Sequence, residues 1–346
     1  MGVVRDGRYG VLQRAGSRTA AVERPYALGV GINPAAEVDI VEPMVRALLA
    51  EQHPDLADLP LRELNAGWDN VLWRLGDDLL VRLPRRQLSA HLTVNELRWL
   101  PLLAPSLPLP VPSPIRLGVP SDGYPWSWSV VPCFAGRAGD RAEITRPDDA
   151  ARRLGGFFRA LHCEAPPDAP RNPFRGVPLS ERADTFEDRL RSLAEELDVD
   201  PTRAVWDWAV AANQWNGPPV WLHGDAHPAN VLIVGGTVGA VIDFGDVCAG
   251  DPATDLASAW MLMPSAAMPA FFTAYGEVDA DLERRALGWA VLFGLMLLAI
   301  GLDRSPGSGH PTYEPIARAT LSRALERAGQ IDAREPRRHI GANPTS

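Results

Sequence analysis

The stretch His223-Gly224-Asp225-Ala226-His227-Pro228-Ala229-Asn230, followed by Asp243-Phe244-Gly245, decides the reading of this chain. Val220-Trp221-Leu222 leads into it as a short strand, and Val231 to Val234 forms a second. Gly235-Gly236 turns the chain, and Gly239 to Ile242 returns as a third strand ending at Asp243. Asp225 and Asn230 therefore sit on a loop, with Asp243 beside them at the foot of a hairpin. The residue types suit a defined chemistry. One carboxylate can take a proton and a second can hold a divalent cation. An amide oxygen completes a metal shell without adding negative charge.

Written as H-x-D-x-x-x-x-N and then D-F-G, the order is the one in which kinases place a base, a metal-binding amide and a metal-binding carboxylate. Phosphoryl transfer needs these because the protein mostly positions groups and neutralises charge. On this reading Asp225 accepts the proton of an attacking hydroxyl. Asn230 and Asp243 hold Mg²⁺ against the phosphates of a nucleotide.

Composition sets the bounds. With 346 residues, 46% of them apolar, the chain can bury a large core in one large or two modest domains. A net charge of −9 argues against a nucleic-acid binder, which carries a basic footprint. Cys133, Cys163 and Cys248 are widely spaced without a paired pattern, which fits a reduced, cytoplasmic setting. No apolar signal core stands at the amino terminus. The uncharged run from Ala286 to Leu302 falls short of a comfortable membrane span and reads as a buried core helix, so no membrane partner is expected. All 34 basic residues are arginine. Without lysine, a Walker-type phosphate loop and a Schiff-base mechanism are both excluded.

Along the chain, residues 1–35 lack periodicity and read as a loose segment. A helix is expected over Val38 to Ala50. Strands are expected over Leu61 to Leu64 and Val71 to Leu75, around Asn65-Ala66-Gly67-Trp68-Asp69-Asn70, and over Leu79 to Leu83. A helix follows over Thr93 to Leu103, then a proline-rich stretch from Pro101 to Pro125, then a strand over Trp126 to Val131. The lobe boundary is placed here, giving an N-lobe over 36–131 and a helical C-lobe over 132–333. Helices in the second lobe are expected at Asp148 to His162 and at about 181–197, 201–215, 253–262, 266–275, 281–302 and 312–329. Residues 334–346 read as a frayed tail. The helical lobe carries most of the negative charge, which suits a cationic acceptor and equally a solvated surface.

These residues resemble the aminoglycoside phosphotransferase family of small-molecule kinases, including its macrolide kinase branch, over roughly residues 36 to 330. The resemblance is carried by Leu222 to Leu232, Val241-Ile242-Asp243-Phe244-Gly245-Asp246, Gly250-Asp251-Pro252 and Asp255-Leu256. It implies an α+β, protein-kinase-like two-lobed fold, with a small antiparallel sheet in the N-lobe and a mostly helical C-lobe. It implies transfer of the γ-phosphoryl of ATP or GTP to a hydroxyl of a small molecule, such as an aminoglycoside or macrolide antibiotic, with Mg²⁺. Gly67, Trp68 and Asn70 would belong to a phosphate-covering hairpin. Arg82 stands where the best-studied members have lysine. Glu96 falls where the family places the carboxylate that orients the phosphate-binding cation. Val131 to Cys133 would form the hinge that meets the nucleotide base.

Other readings stand beside these. Asp225, Asn230 and Asp243 are also residue types that turns favour. His223 reads as a structural brace of the loop, while His227 either packs within it or touches metal or acceptor. Asp251 and Asp255 precede a helix and can cap it, while the resemblance to the family's Gly-Asp-Pro turn implies a role for Asp251 in supporting the loop, not in catalysis. Trp126 and Trp128 read as core and His162 as a satisfied structural group. Two other function classes remain. His223, Asp225 and His227 form an H-x-D-x-H spacing that would suit a metal-dependent hydrolase. Arg82 in place of lysine would suit a nucleotide-binding module without turnover.

Overall fold

The computed structural model describes residues 35–303 and 310–332. The expectations for the amino-terminal segment, residue 35 apart, and for the tail lie outside the described residues. The fold is protein-kinase-like, with a small antiparallel sheet followed by a mostly helical part.

A helix α1 (Glu42–Gln52) precedes three strands, β1 (Leu61–Ala66), β2 (Asn70–Leu75) and β3 (Leu79–Pro84). After α2 (Gln87–Leu103) come β4 (Arg116–Gly118) and β5 (Trp128–Pro132), giving one antiparallel sheet in the order β1-β2-β3-β5-β4. Side chains alternate across a strand, so each strand has one face for each side of the sheet. Val71, Trp73, Leu75, Val81, Leu83, Trp128 and Val130 are buried with Val45, Leu48 and Leu49 of α1 in one cluster. Leu72, Leu80 and Arg82 belong to the opposite face, which roofs a cleft.

The helix α2 begins at Gln87, ahead of the Thr93 start expected from apolar spacing, because its first turns bury polar residues: Ser89, Thr93 and Glu96 are all buried. Its far end joins the second core, where Trp99, Leu100 and Leu103 pack. A single helix thus connects the sheet to the helical part.

The second part contains β6 (Arg137–Ala138), α3 (Pro147–Leu161), α4 (Ala183–Ser192), α5 (Val199–Val210), β7 (Val220–Leu222), β8 (Val231–Val234), β9 (Thr237–Val241) and β10 (Cys248–Gly250). It ends with α6 (Ala253–Leu256), α7 (Ser258–Leu262), α8 (Met268–Tyr275), α9 (Ala280–Leu302) and α10 (Tyr313–Asp332). The helix expected over 253–262 is broken in two between α6 and α7. The strands β4, β6 and β10, two or three residues each, carry too little pattern to be read from sequence.

The central element is α9. Asp279 caps it by accepting from the Leu282 N–H at 2.7 Å. It is long and apolar enough to cross a membrane, and 83% of its most apolar window is buried inside the protein. A helix apolar on all sides is what burial among other helices requires, and α4, α5, α6, α7 and α10 all pack against it.

The helices α3 and α8 cross closely at Gly155, where an added Cβ would lie 2.4 Å from the Phe271 carbonyl oxygen. Gly155→Val is expected to destabilise the fold by about 1–3 kcal/mol through overpacking. Urea unfolding checks this, and an unchanged midpoint would show that the crossing can open freely.

Candidate active site

The loop between β7 and β8 is held from below by one carboxylate. Asp255, at the start of the helical pair α6–α7, accepts the His223 N–H at 2.7 Å on Oδ2 and the Gly224 N–H at 2.8 Å on Oδ1. His162 Nε2 at the end of α3 lies 3.3 Å from the same Oδ2, and His162 Nδ1 lies 2.9 Å from the Tyr275 hydroxyl. Burial, with Asp255 and Asp251 nearby, pushes the Tyr275 hydroxyl well above its ordinary range, so it stays a neutral hydroxyl.

His223 is fully buried. Its Nδ1 accepts the Asp225 N–H at 3.2 Å, so Nε2 carries the proton and donates to the Ile242 carbonyl at 3.0 Å. Both ring nitrogens are used within the loop, as a structural brace requires. Gly224 has φ +82°, and a Cβ there would meet the Asp246 carbonyl oxygen at 2.6 Å, so glycine is needed on both counts. At the foot of β9, Asp243 adopts φ 64°, the single positive φ of a non-glycine residue among the described residues. Backbone held in this sparsely populated region is a mark of over-determined sites.

The three polar groups picked out by sequence come together. Asp225, Asn230 and Asp243 all line one cleft of about 350 Å³ beneath the sheet. Asn230 donates from Nδ2 to the Asp225 carbonyl at 2.8 Å, which leaves its Oδ1 as the acceptor end of the amide. The Asp243 side chain is 46% exposed to the cleft. These are hard oxygen donors. Mg²⁺ takes one or two protein carboxylates and completes its shell with phosphates and water, so this donor set fits it. It does not fit a transition metal: His223 is turned inward, and no group of three His, Cys, Asp or Glu that could hold a metal occurs among the described residues.

The roof of the cleft carries the cation. Arg82 donates from Nη1 to Glu96 Oε1 at 2.5 Å and from Nη2 to Asp243 Oδ1 at 3.4 Å. Burial alone would lower its pKa, but Glu96 and Asp243 together outweigh it and raise the value, so the guanidinium is held charged. Burial pushes Glu96 upward, against the pull of Arg82.

The β1–β2 turn is pinned by the arginines that follow β3. Gly67 donates its N–H to the Asn70 carbonyl at 2.8 Å. Arg85 donates to the Gly67 carbonyl, and Arg86 to the Trp68 carbonyl and Asp69. Gly67, Trp68 and Asn70 all line the cleft, with Val131 and Cys133. One hinge expectation needs correction. The Cys133 N–H already donates to the Asp78 carbonyl at 2.7 Å, and its sulfur accepts from Arg74. That amide is committed to the sheet, so it does not offer itself to a base.

Loop support also shifts. Asp251 accepts from the Ala253 N–H at 3.0 Å and pairs with Arg285 of α9 at 2.7 Å. It ties the turn to the central helix, while Asp255 touches the loop itself. His227 turns Nδ1 toward the Ala229 N–H at 3.3 Å and sets Nε2 3.6 Å from Asp225 Oδ2, which places it beside the site.

Sequence reasoning missed Arg175. From a loop between α3 and α4, its Nη2 donates to Asp225 Oδ1 at 3.3 Å, and its guanidinium lies 5.1 Å above the Phe293 ring. Tyr313 of α10, which lines the cleft, was also missed. Arg175 comes from a segment with no local pattern, and Tyr313 opens a helix whose periodicity says nothing of where its first residue lies. A second, narrow pocket of about 80 Å³ lies beyond Asp225, lined by Met261, Phe293, Met296, Leu297 and Ile300 together with Arg175; Trp68, Asp225, His227 and Tyr313 border both spaces.

The profile of the phosphotransferase enzyme family matches residues 60–289. The chain belongs to this family. As a member it is a phosphotransferase of the small-molecule kinase type. No curated protein matches it. Among solved structures, it is similar to the GDP complex of aminoglycoside 2'-phosphotransferase-IIIa, at 20% identity and a TM-score of 0.59, over 83% of this chain and 99% of that one. It is similar to macrolide 2'-phosphotransferase MphH from Brachybacterium faecium at 24% identity and a TM-score of 0.53, over 81% and 97%. A third is the streptomycin–ATP–APH(2")-IIa ternary complex, at 17% identity and a TM-score of 0.52, over 77% and 92%. These likenesses show that the phosphotransferase shares their fold.

The network beneath the loop yields a prediction. Asp255→Ala strands two buried N–H donors and is expected to cost roughly 2–5 kcal/mol. Asp255→Asn, which keeps one acceptor oxygen, is expected to lose less. Denaturant unfolding of both variants checks the order, and equal losses would show that hydrogen-bond acceptance is not what the carboxylate provides.

Proposed function

We propose that this phosphotransferase moves the γ-phosphoryl of ATP or GTP to a hydroxyl of a small molecule, with Asp225 as base and with Asn230 and Asp243 as the residues that hold Mg²⁺. The observation carrying this is the meeting of Asp225, Asn230 and Asp243 in one cleft, with Arg82 in contact with Asp243. The solved relatives named as GDP and ATP complexes support a nucleoside triphosphate as donor. The relatives named for aminoglycosides and a macrolide support a hydroxylated small molecule as acceptor.

The residues divide the work. Gly67, Trp68 and Asn70 form the edge of the cleft over the phosphates, and Arg82 faces them with a fixed positive charge. The nucleotide base would lie against Leu72, Leu80 and Val131, apolar residues that line the same cleft. Mg²⁺, when bound, neutralises charge that builds on the phosphate oxygens. At the other end, Asp225 takes the proton as the acceptor oxygen bonds to the γ-phosphorus. The bond from phosphorus to the bridging oxygen breaks, and the nucleoside diphosphate leaves with the electron pair. Arg175 on Oδ1 fixes the rotamer of the Asp225 carboxylate. His227 sits on the Oδ2 side. Such positioning, more than covalent chemistry, is what phosphoryl transfer asks of a protein.

Asp225→Asn is expected to lower acceptor phosphorylation by at least ~10²-fold while nucleotide affinity persists. Product formation by mass spectrometry, with nucleotide titration alongside, measures both. Equal product from wild type and variant would remove Asp225 as the base.

A further inference from the structure

The start of α10 is tied to the turn after β6 by a hydrogen-bond chain that the proposed chemistry does not use. That turn packs on the loop bearing Asp225. The Gly139 N–H donates to the Val231 carbonyl at 2.8 Å, and a Cβ at Gly139 would lie 3.0 Å from the Pro228 carbonyl oxygen. The Asp140 side chain is buried beside it and accepts from the Thr312 hydroxyl at 2.9 Å. Thr312 accepts in turn from His310 Nδ1 at 2.9 Å, and His310 Nε2 lies 3.3 Å from Arg141 Nη2. Arginine only donates, so Nε2 is the acceptor and the ring proton sits on Nδ1. The chain therefore runs one way, from Arg141 through His310 and Thr312 to Asp140. Only a neutral ring completes it.

What this chain holds in place is a stack of rings. His310 lies on Tyr313, with centroids 4.0 Å apart and planes inclined by 23°. Tyr313 in turn meets the His227 ring edge-on at 5.9 Å. His227 accepts the Ala229 N–H on Nδ1 at 3.3 Å, so its Nε2 carries the proton, 3.6 Å from Asp225 Oδ2. The last torsion of a histidine side chain is broad. One hydrogen bond and the ring of Tyr313 are what fix the direction of that N–H.

Asp140 and Arg141 face His310 from the turn after β6, His227 faces it from the loop, and Tyr313 covers the ring from its own segment. Burial, with Arg141 and His227, outweighs Asp140 and holds His310 below the ordinary histidine range. Protonation would remove the acceptor that Arg141 uses and set like charge against it. Because the folded value is depressed, the chain is complete above the ordinary pKa of about 6.5 and is lost as pH falls through the lower folded value.

We propose that His310, acting through Tyr313, is a positioning residue that keeps the His227 N–H directed at the Asp225 carboxylate, and that it does so only as the neutral ring. This rests on the reading of Asp225 as the base.

The test has two arms, both on the full chain. In the first, nitrogen-15 NMR follows the rings of His310 and His227 in wild type, His310→Phe and Thr312→Val. His310 is expected as the Nδ1–H tautomer that gains its second proton only below about pH 6.5. Both substitutions are expected to move the His227 ring resonances at fixed neutral pH. This arm decides without any turnover. In the second, nucleotide hydrolysis with Mg²⁺ and ATP or GTP, water standing in for the acceptor, is followed by diphosphate release. His310→Phe keeps a ring over Tyr313 without a titrating proton, and Thr312→Val breaks the chain without touching the ring. Each is expected to lower the rate about 3- to 10-fold at about pH 8. The ratio of wild type to variant is expected to fall toward one at about pH 5.5, where the wild type has lost the chain as well. A ratio equal at both pH values, a His310 protonated on Nε2 alone, or His227 resonances that neither variant moves overturns the proposal and leaves Asp225 as the base. Equal hydrolysis by wild type and Asp225→Asn removes that reading, and this inference with it.

Discussion

One buried carboxylate sets the position of the loop that bears Asp225 and Asn230. Asp255 receives two consecutive backbone N–H groups, from His223 and Gly224, at the point where the chain leaves β7 for the loop bearing Asp225 and Asn230. Charge-assisted bonds to backbone donors are short and directional, and in a buried setting they are expensive to leave unmade. The loop therefore has one low-energy placement. Asp255 is itself fixed from α3 by His162, which is held in turn by Tyr275 of α8. Through these contacts, the packing of three helices is converted into the position of a loop. His223 adds the second coordinate by donating to Ile242, so that the chain just before Asp243 is tied to the chain just before Asp225.

A second constraint joins sheet to helices. Arg82 projects from the cleft face of β3 and forks between Glu96 of α2 and Asp243. A lysine reaches one partner as a point charge, whereas a planar guanidinium can serve two at once. The chain contains no lysine at all, and this geometry shows what arginine does in that place: it couples the Glu96 carboxylate to the Asp243 carboxylate. A buried ion pair is not strong evidence of stability, because desolvation opposes the attraction. Its value here is geometric. Since α2 carries Glu96 in its middle and Trp99, Leu100 and Leu103 at its far end in the helical core, the pair indexes the roof of the cleft to its floor.

What could be read from sequence was what is local. Alternation in Val71 to Leu75 and Leu79 to Leu83, with turn residues between, located β2 and β3 and hence the face bearing Arg82. The spacing of Asp225, Asn230 and Asp243 inside apolar strands located the loop and hairpin foot, and the family resemblance supplied the lobes. What could not be read depends on contacts across long separations. Arg175 reaches Asp225 across 50 residues from a segment without periodicity. Asp251 and Asp255 looked equivalent as residues before a helix, yet one faces Arg285 and the other the loop, a distinction made by which side of a short turn each occupies. The early start of α2 was hidden because the buried face of its first turns is polar, Ser89 and Thr93 included, and apolar periodicity does not register hydrogen-bonded burial. The amide of Cys133 is bound to Asp78 by sheet pairing that no short window reveals.

Asp225 stands on a border between two unlike environments. On one side lies a cleft furnished with an amide, a second carboxylate and a guanidinium, suited to phosphates and a hard cation. On the other lies a wall of methionine, phenylalanine and leucine from α7 and α9. The all-round apolarity of α9, which at first sight resembles a membrane segment, follows from this double duty. One stretch of the helix fills the core among α4, α5 and α10, while residues near its carboxyl end form the wall of the pocket. Apolar surroundings displace water, so electrostatic interactions of the Asp225 carboxylate on that side are correspondingly less screened. The same border explains why Arg175 is buried there. A carboxylate facing an apolar wall needs a fixed partner to stay in place, and a guanidinium lying over Phe293 supplies the charge while presenting its own flat face to the ring.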